Sequence, residues 1–324
     1  MCHVPGGRRL CRVKVVALAG GVGAGKFLRG LVRVVPPGDV TVIVNTADDI
    51  RLHGLHVSPD VDSVTYWLAG EADRERGWGR AGETWRTIEE LRRLDAEGAW
   101  FSLGDVDLAV HLYRTGLLDK KATLTEATAR IAAGYGVAAR ILPMTDDPVA
   151  TRLEVVRLGR SFDLHFQEYW VQGEGRDEVK AIRYEGAESA RPAPGVLEAL
   201  EAADAVVLPP SNPIASIGPI LAVPGIRERV AARRDRVVGV SGIVGGAPLA
   251  GMADRLLPVA GVEVSAAGVA GHYRDILGGW VIDRADEELR SRIEEMGIRV
   301  AVTDTIMSDD AKATALAHTV LSLL

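Results

Sequence analysis

The sequence predicts an α/β fold with a doubly wound, mostly parallel sheet and a small inserted α+β subregion. Residues 12–20, RVKVVALAG, form a short β-branched apolar run that ends in glycines, which is typical of a strand buried on both faces. Residues 26–35, KFLRGLVRVV, place apolar side chains at helical spacing, and residues 39–49, DVTVIVNTADD, read as a second buried strand. The chain therefore opens as a β-α-β unit, which predicts parallel strands joined by right-handed crossovers.

Strand and helix patterns continue to alternate along the rest of the chain. Four further helices are predicted, and the tail pattern with aspartates in its first turn predicts a closing helix. The predicted helices are 60–68, 84–94, 107–115, 125–135 and 308–324. The later predicted strands lie in 139–144, 203–212, 235–245, 279–284 and 298–305.

The segment from about 151 to 186 departs from this rhythm. Its polar and apolar residues alternate more strictly, and Gly159-Arg160 marks a turn, so it predicts antiparallel strands inserted into the main domain. We interpret residues 13–324 as a single Rossmann-like domain that carries this subregion. Residues 1–12 are basic but lack the apolar core of a signal peptide, so they predict a disordered leader.

The composition excludes several classes of protein. The chain has 324 residues, of which 47% are hydrophobic and 25% are charged, as expected for a globular protein with a large core. A net charge of −6 gives no general attraction to nucleic acid or to an anionic membrane. The two cysteines, Cys2 and Cys11, exclude a disulfide framework and suit a reducing compartment. Prolines or glycines interrupt the long uncharged stretches, so we expect a cytoplasmic protein without membrane spans.

The glycine-rich segment after the first strand fits neither common nucleotide-binding motif. Gly20, Gly25 and Lys26 match the spacing of a P-loop, but Phe27 stands where Ser or Thr would hold magnesium. The dinucleotide fingerprint fails because Lys26 replaces its third glycine. A cation in the first helical turn opposes the helix dipole, and an anionic ligand would offset this; a plain strand-to-helix turn is the alternative. The predicted phosphate-binding set is Gly21, Gly23, Gly25 and Lys26, with Phe27 in the core.

A cluster of aspartates follows the second strand. Asp48, Asp49, Asp60 and Asp62 fall within 15 residues. Hard oxygen ligands beside a phosphate are what magnesium prefers, so the cluster predicts a magnesium site at the carboxyl end of the sheet. The alternative is that Asp60 and Asp62 cap the next helix.

Polar residues also follow the other strands and open a later helix. His111 and Arg114 are three residues apart and share one helix face; Arg114 is a candidate phosphate contact, whereas His111 alone is more often a packed side chain. Asp105 or Asp107 caps a helix or contacts a ligand. Residues 209–213, PPSNP, and 241–248, SGIVGGAP, add small and polar groups at the carboxyl ends of later strands.

Together, these segments resemble one family. The relevant stretches are GGVGAGKFLRGL, VNTADDI, SPDVDSVTYWLAG, LGDVDLA, LPMTDDPVAT, HFQEYWV, PPSNPIASIGPIL and AGVEVSAAGVAGHY. In this order they resemble the 2-phospho-L-lactate transferases and their bacterial counterparts, the phosphoenolpyruvate transferases of deazaflavin coenzyme F420 biosynthesis. The resemblance runs from about Val13 to the C-terminus.

The resemblance implies a specific reaction and a set of partners. The terminal hydroxyl of the deazaflavin FO attacks the phosphorus that bears a three-carbon acid in a guanosine diphosphate ester, and GMP leaves. The family uses Mg²⁺, has a Rossmann-like fold and tends to form homodimers. Its deazaflavin-contacting aspartate corresponds to Asp62. Its second contact, often Lys or Asn, corresponds to Ser102, and Val106 replaces a usual arginine.

These observations lead to a hypothesis for each site residue. Asp48 and Asp62 coordinate magnesium, and one of them accepts the hydroxyl proton. Lys26 and the nearby amides hold a phosphate or the donor's carboxylate, while Ser211 and Asn212 contact the nucleotide or the diphosphate. The remaining predicted substrate-binding residues are Asn45, Ser102, Asp105 and Arg114.

Two other functions and the identity of the donor stay open at this stage. An NAD(P)-dependent oxidoreductase would suit the β-α-β opening but lacks the third glycine. A non-catalytic nucleotide sensor of the same superfamily is the other alternative. Phosphoenolpyruvyl, phospholactyl and phosphoglyceryl donors differ by groups that a pocket separates by only about 1–3 kcal/mol.

Overall fold

A computed structural model describes residues 13–324, so the predicted leader at 1–12 lies outside the described part of the chain. The strands within it are β1 Val15–Ala19, β2 Val40–Val44, β3 Ile50–Leu52, β4 Leu55–Val57, β5 Arg140–Pro143, β6 Ala150–Arg157, β7 Arg160–His165, β8 Glu178–Glu185, β9 Ala205–Leu208, β10 Val237–Val240, β11 Ile243–Val244, β12 Ala247–Pro248, β13 Gly279–Asp283 and β14 Arg299–Thr303. The α-helices are α1 Gly21–Val34, α2 Pro59–Ala69, α3 Arg86–Arg93, α4 Asp107–Asp119, α5 Leu124–Gly134, α6 Val196–Ala202, α7 Gly218–Ala222, α8 Ile226–Ala231, α9 Ala253–Val259, α10 Ala266–His272, α11 Arg290–Glu294 and α12 Asp310–Ser322.

A seven-stranded sheet forms the centre of the molecule. Its order is β14-β13-β10-β9-β1-β2-β5, and every neighbouring pair is parallel. This confirms the predicted doubly wound α/β fold. The strand order reverses between β1 and β9, and a crevice at such a switch point is where open parallel sheets bind ligands.

Both faces of the sheet are covered by core side chains. Successive side chains of β1 point to opposite faces, and each set packs into a different cluster. Val16 and Leu18 belong to one core cluster, whereas Val15, Ala17 and Ala19 belong to another that also contains Phe27 of α1. Phe27 is fully buried, as predicted. Phe27, at the position where a P-loop would bind magnesium, is therefore a core residue.

Helix α1 begins earlier than the sequence pattern suggested. It starts at Gly21, so Lys26 lies in its second turn and the predicted first-turn position is wrong. Gly21 has a φ of +72°, a left-handed conformation that only glycine adopts without strain. The "glycine turn" is thus the helix start itself.

The segment between β5 and β9 contains a separate three-stranded antiparallel sheet, with the order β7-β6-β8. The antiparallel strands predicted there are present. The sheet is tied to the loop after β2, because the Thr151 backbone N–H donates to the carbonyl of Ala47 at 2.8 Å. The division into one domain with an inserted subregion stays an interpretation.

Some elements were not predicted. The β3–β4 hairpin and the short helices α7 to α10 lie in stretches where glycine and proline interrupt any long periodic pattern. Among residues 13–324, no helix combines the length and the apolar character needed to cross a bilayer.

Candidate functional site

The loops after β1 and β9 meet at the switch point. The Ser211 side-chain oxygen accepts a hydrogen bond from the Gly20 backbone N–H at 3.4 Å. A Cβ added to Gly23 would lie 2.2 Å from the carbonyl oxygen of Pro210. Gly23 is therefore required for the close approach of α1 to this loop. The predicted convergence of small and polar residues at this edge is present.

The other glycines of this segment also serve packing. A Cβ on Gly25 would lie 2.3 Å from the Trp67 ring of α2, and one on Gly20 would lie 2.5 Å from the Asp60 carboxylate. Backbone amides at the start of α1 thus face Asp60 directly, at the position where a phosphate was predicted.

Asp60 is a residue of α2, but its carboxylate contacts the start of α1. One of its carboxylate oxygens accepts a hydrogen bond from Asn45 Nδ2 at 2.9 Å, and the Gly21 backbone N–H also stabilises the carboxylate. Asn45 is fully buried and donates a second bond to the carbonyl of Ala215 at 3.3 Å. Asp60 is not the N-cap of α2, because Ser58 occupies that position and Asp60 is the second residue of the helix, in its first turn.

Asp48 is a buried carboxylate with spare hydrogen-bonding capacity. Its Oδ1 atom is buried without a hydrogen-bond partner. Burial, together with the negative charge of Asp60, raises the pKa of Asp48 well above its ordinary value. Burial also raises the pKa of Asp60 to about 6, with a further contribution from Asp49. These carboxylates therefore repel one another, and a cation between them would favour their ionised forms.

Asp49 has partners on one oxygen only. Its Oδ2 atom accepts a hydrogen bond from Ser58 Oγ at 2.7 Å and contacts His56 Nε2 at 2.9 Å. Its Oδ1 atom is buried without a hydrogen-bond partner. Burial raises the pKa of Asp49, which favours its neutral form; when Asp49 is ionised, its charge raises the pKa of Asp48 and of Asp60.

Asp62 is held in a buried ion pair. Both of its carboxylate oxygens contact the guanidinium of Arg114, with Nη1 at 3.0 Å from Oδ2 and Nη2 bound to Oδ1. Arg114 is fully buried and also donates to the carbonyl of His56 at 3.3 Å. The two residues predicted as a metal ligand and a phosphate contact are thus each other's main partners.

The ion pair continues into a chain of polar groups between α2 and α4. His111 lies with Nδ1 at 3.6 Å from Asp62 and Nε2 at 3.3 Å from Asp107. Asp107 in turn accepts a hydrogen bond from the Tyr66 hydroxyl at 2.5 Å. His111 is 1% exposed, so the predicted shared face of His111 and Arg114 is the inner face of α4.

Ser102 and Asp105 lie beside α3 rather than in this network. The Ser102 hydroxyl accepts a hydrogen bond from Arg92 Nη2 at 2.9 Å. Asp105 accepts hydrogen bonds from the Thr84 hydroxyl at 2.5 Å and the Thr87 N–H at 2.9 Å, and these bonds lower its pKa to about 2. Asp105 is therefore the N-terminal cap of α3.

Lys26 and Asn212 differ in how far their side chains are already engaged within the protein. The Lys26 ammonium lies 5.9 Å from the centroid of the Trp67 ring, and no carboxylate among residues 13–324 pairs with it. Asn212 Oδ1 accepts hydrogen bonds from the N–H groups of Ile214 and Ala215 at 2.9 and 3.0 Å. Lys26 thus keeps its charge available, whereas the Asn212 carbonyl organises the π-helical turn Pro213–Ile217.

Two residues from the antiparallel sheet border the site and were not singled out from the sequence. Tyr184 donates to the carbonyl of Ile214 at 2.6 Å and lies close enough to Asp48 for that carboxylate to raise its pKa, after the larger effect of burial. His165 lies against the Asp49 backbone and is buried, which lowers its pKa. The sequence signal for Tyr184 was only its position in a strand of the inserted segment, whereas His165 opens HFQEYWV, one of the stretches that carry the resemblance.

The carboxylates fit a magnesium ion that also binds a substrate. Residues 13–324 contain no group of three or more His, Cys, Asp or Glu side chains arranged to hold a metal. Mg²⁺ is usually bound by one or two carboxylates, with phosphate oxygens and waters completing its octahedron. Asp48, with its unpartnered oxygen, and the adjacent Asp60 meet that requirement.

Comparison with known proteins places the chain in a family. Residues 15–321 match the model described as "2-phospho-L-lactate transferase CofD". The chain is 47% identical over 312 residues to a phosphoenolpyruvate transferase from Streptomyces griseus, covering 96% of this chain and 98% of that protein. It is 40% identical to a 2-phospho-L-lactate transferase from Methanosarcina acetivorans, covering 95% and 98%.

Solved structures support the fold. A protein of the UPF0052 family from Bacillus halodurans superposes with a TM-score of 0.62 at 16% identity, covering 96% of this chain and 99% of that one. At this identity the likeness concerns the fold alone. The curated relatives are named as transferases, and the resemblance found in the sequence is confirmed. The chain belongs to the CofD family of 2-phospho-L-lactate transferases.

Proposed function

We propose that this protein transfers a phosphoenolpyruvyl or 2-phospholactyl group from its guanosine diphosphate ester to the terminal hydroxyl of the deazaflavin FO, in coenzyme F420 biosynthesis. The main support is its identity over almost the full length of a relative named phosphoenolpyruvate transferase. The oxygen of the acceptor hydroxyl forms the new bond to phosphorus, and the bond to the GMP oxygen breaks. The hydroxyl proton passes to a carboxylate of the protein.

The anionic donor is expected to lie across the switch point. Lys26 has no competing carboxylate, so it can contact the diphosphate or the three-carbon acid. The Ser211 hydroxyl, which accepts a hydrogen bond from the Gly20 N–H at the start of α1, and the neighbouring Asn212 lie at the same switch point. These groups bind and orient the donor for in-line attack.

The metal is assigned to Asp48 and Asp60. The sequence suggested Asp62 as the second ligand, but both Asp62 oxygens already contact Arg114, whereas Asp60 adjoins Asp48. When bound, Mg²⁺ would offset the negative charge of the diphosphate.

Asp62 is the residue that we expect to orient the acceptor hydroxyl and to take its proton. A carboxylate has about four acceptor positions, so each oxygen can accept a further hydrogen bond beside Arg114. The bidentate contact fixes the plane of the carboxylate, which sets the direction of that bond.

The two alternatives have weaker support. An NAD(P)-dependent oxidoreductase needs free amides at the start of its first helix for a pyrophosphate, and here the Asp60 carboxylate lies there. No observation favours a nucleotide sensor, because the solved neighbour at 16% identity supports the fold alone. Homodimeric assembly and a cytoplasmic location stay predictions.

The proposal is tested by incubating the purified protein with FO, Mg²⁺ and each guanylyl donor. We expect GMP release, and mass spectrometry should detect FO enlarged by the phosphorylated acid. Competition between the donors in one reaction identifies the preferred one. Absence of FO binding in a fluorescence titration would favour the sensor, and binding of FO without product from either donor would contradict the proposed reaction.

A further inference from the structure

Tyr66, Asp107 and His111 form a row of polar side chains between α2 and α4 that the proposed reaction does not use. Tyr66 and His111 are each 1% exposed, and the Asp107 side chain is 13% exposed. Burying polar groups costs free energy unless they bond to one another. The row ends at the ion pair of Arg114 with Asp62, so it leads to the carboxylate that is expected to meet the acceptor hydroxyl.

The contact with Arg114 assigns the tautomer of the His111 ring. Arg114 Nη1 lies 3.3 Å from His111 Nδ1, and a guanidinium can only donate hydrogen bonds. Nδ1 is therefore the acceptor, and in a neutral ring the hydrogen is then on Nε2. A second proton, on Nδ1, would lack an acceptor, because Asp62 Oδ2 lies 3.6 Å away, too far for a hydrogen bond.

Asp107 faces the other nitrogen of the ring and is itself held in place. His111 Nε2 makes no well-formed hydrogen bond, and the carboxylate of Asp107 lies beside it at 3.3 Å. The other oxygen of Asp107 accepts a hydrogen bond from the Tyr66 hydroxyl at 2.5 Å, and the Asp107 backbone N–H donates to Glu83 at 2.9 Å. The direction of the carboxylate that supports the ring is therefore fixed from two sides.

At Nδ1, His111 shares one nitrogen of Arg114 with two other acceptors. Arg114 Nη1 donates to Asp62 Oδ2 at 3.0 Å, to His111 Nδ1 at 3.3 Å and to the carbonyl of His56 at 3.3 Å. These acceptors belong to α2, α4 and β4, and Nη1 carries only two hydrogens. The guanidinium therefore lies where three elements compete for it, and loss of one acceptor lets it turn toward the other two.

We propose that His111, as the Nε2–H tautomer, is a positioning residue that holds Arg114 so that the Asp62 carboxylate faces the acceptor hydroxyl. This role rests on the proposed function of Asp62, whereas the tautomer does not. His111 is buried, so it acts through Arg114 rather than on the substrate. A displacement of about 1 Å at a reacting group lowers the rate by as much as about 100-fold, which gives a buried positioning residue a measurable effect.

The kinetic experiment compares two replacements of His111. His111→Asn can present an amide oxygen to Arg114 near the position of Nδ1, whereas His111→Leu has a similar size but no acceptor. We expect His111→Leu to lower kcat/KM for FO about 100-fold with an unchanged KM for the donor, and His111→Asn to recover at least about tenfold of that loss. His318→Asn, at an exposed position of α12, is the control and should keep full activity.

Tyr66→Phe provides a second variant, which remains informative if His111→Leu does not fold. It removes only the hydroxyl that holds Asp107, so kcat/KM for FO should fall about three- to tenfold, the worth of one hydrogen bond, with an unchanged KM for the donor. Urea denaturation measures the stability of every variant. Equal activity of His111→Asn and His111→Leu, or full activity of Tyr66→Phe, would overturn the proposed role.

The tautomer is tested without substrates by ¹⁵N NMR of protein with labelled histidines. The His111 signals are assigned by their loss in His111→Asn, and we expect a protonated Nε2 and an unprotonated Nδ1 at pH 7. A hydrogen on Nδ1 would overturn the proposal. A wild type that transfers no group would instead contradict the proposed function, and the NMR result would still establish the tautomer, so the two failures are distinguishable.

Discussion

At the scale of single residues, the site contains two kinds of buried carboxyl group. Asp48 and Asp60 have no compensating cation from the protein, and burial raises the pKa of both, whereas Asp62 is matched by Arg114. Burying a charge is costly unless it is paired. We therefore expect the unpaired carboxyl groups of Asp48 and Asp60 to bind a ligand. The paired carboxylate of Asp62 is held in one orientation by Arg114.

The first prediction concerns Asp48→Asn. The amide keeps the shape but removes a charge, so magnesium-dependent transfer should fall about 100-fold or more. The free energy of unfolding should stay equal or rise, because repulsion with Asp60 disappears. Urea denaturation and GMP release measure the two effects. Asp95→Asn, at an exposed position, is the control; full activity of Asp48→Asn would contradict the assignment.

The second prediction concerns Arg114. Arg114→Met leaves Asp62 buried without its partner and should lower the free energy of unfolding by about 3–5 kcal/mol. Arg114→Lys keeps the charge but loses the bidentate contact, so it should fold. If Arg114 positions Asp62, the lysine variant should show a raised KM for FO with an unchanged KM for the donor. An equal change in both KM values would indicate a purely structural role.

At the scale of elements, close contacts between helices position the crevice. Glu83 accepts hydrogen bonds from the first amides of α4, and Asp105 accepts them from the first amides of α3, so the two helix starts cap each other. Helix α1 lies against α12, and a Cβ on Gly30 would meet the Ala313 backbone at 2.3 Å. The glycines of α1 therefore set how near its neighbours lie.

The third prediction follows from that contact. Alanine is normally the better helix former, yet Gly30→Ala would push α12 away from α1 because backbone atoms cannot yield locally. We expect a loss of about 1–3 kcal/mol in the free energy of unfolding, measured in urea. Gly38→Ala is the matched control, since a Cβ there meets nothing within 4 Å. If the free energy of unfolding of Gly30→Ala were unchanged, α1 and α12 could move apart at this contact without cost.

At the scale of the whole molecule, the end of the chain returns to its beginning. Asp310, at the start of α12, pairs with Arg29 and Arg33 of α1 and with Arg74 from the segment after α2. Burial opposes the charge of Asp310, but the hydrogen bond from Arg29 and the further arginines outweigh it and lower its pKa. One carboxylate thus connects three distant parts of the sequence.

The fourth prediction is the pH dependence of this connection. Because the pKa of Asp310 is lower in the folded chain, its contribution is present above the ordinary aspartate pKa and is lost as the pH falls through the folded value. Asp310→Asn should lower stability by roughly 1 kcal/mol at pH 7, and the difference should shrink below about pH 4. Urea denaturation at several pH values tests this, with Asp235→Asn as the control. A difference that does not begin to shrink as the pH falls below about 4 would contradict it.

Local patterns in the sequence determined the fold class and much of the site's composition. Buried strands such as β1 and β2 appear as short β-branched runs because both of their faces are covered. The sequence predicted phosphate-binding and carboxylate residues at one edge of the sheet, because the parallel arrangement brings the ends of such strands together. The order of several motifs identified the family, and the proposed reaction rests on that resemblance.

The tertiary structure alone decided which side chains pair. Asp60 and Asp62 are two residues apart in one helix, yet Asp60 faces α1 and Asp62 faces Arg114 of α4. Asp105 caps α3, which precedes it in the chain, and no local pattern indicates that. Sequence spacing gives the direction of a side chain relative to its own helix. What stands opposite it depends on packing between elements that are far apart in the chain.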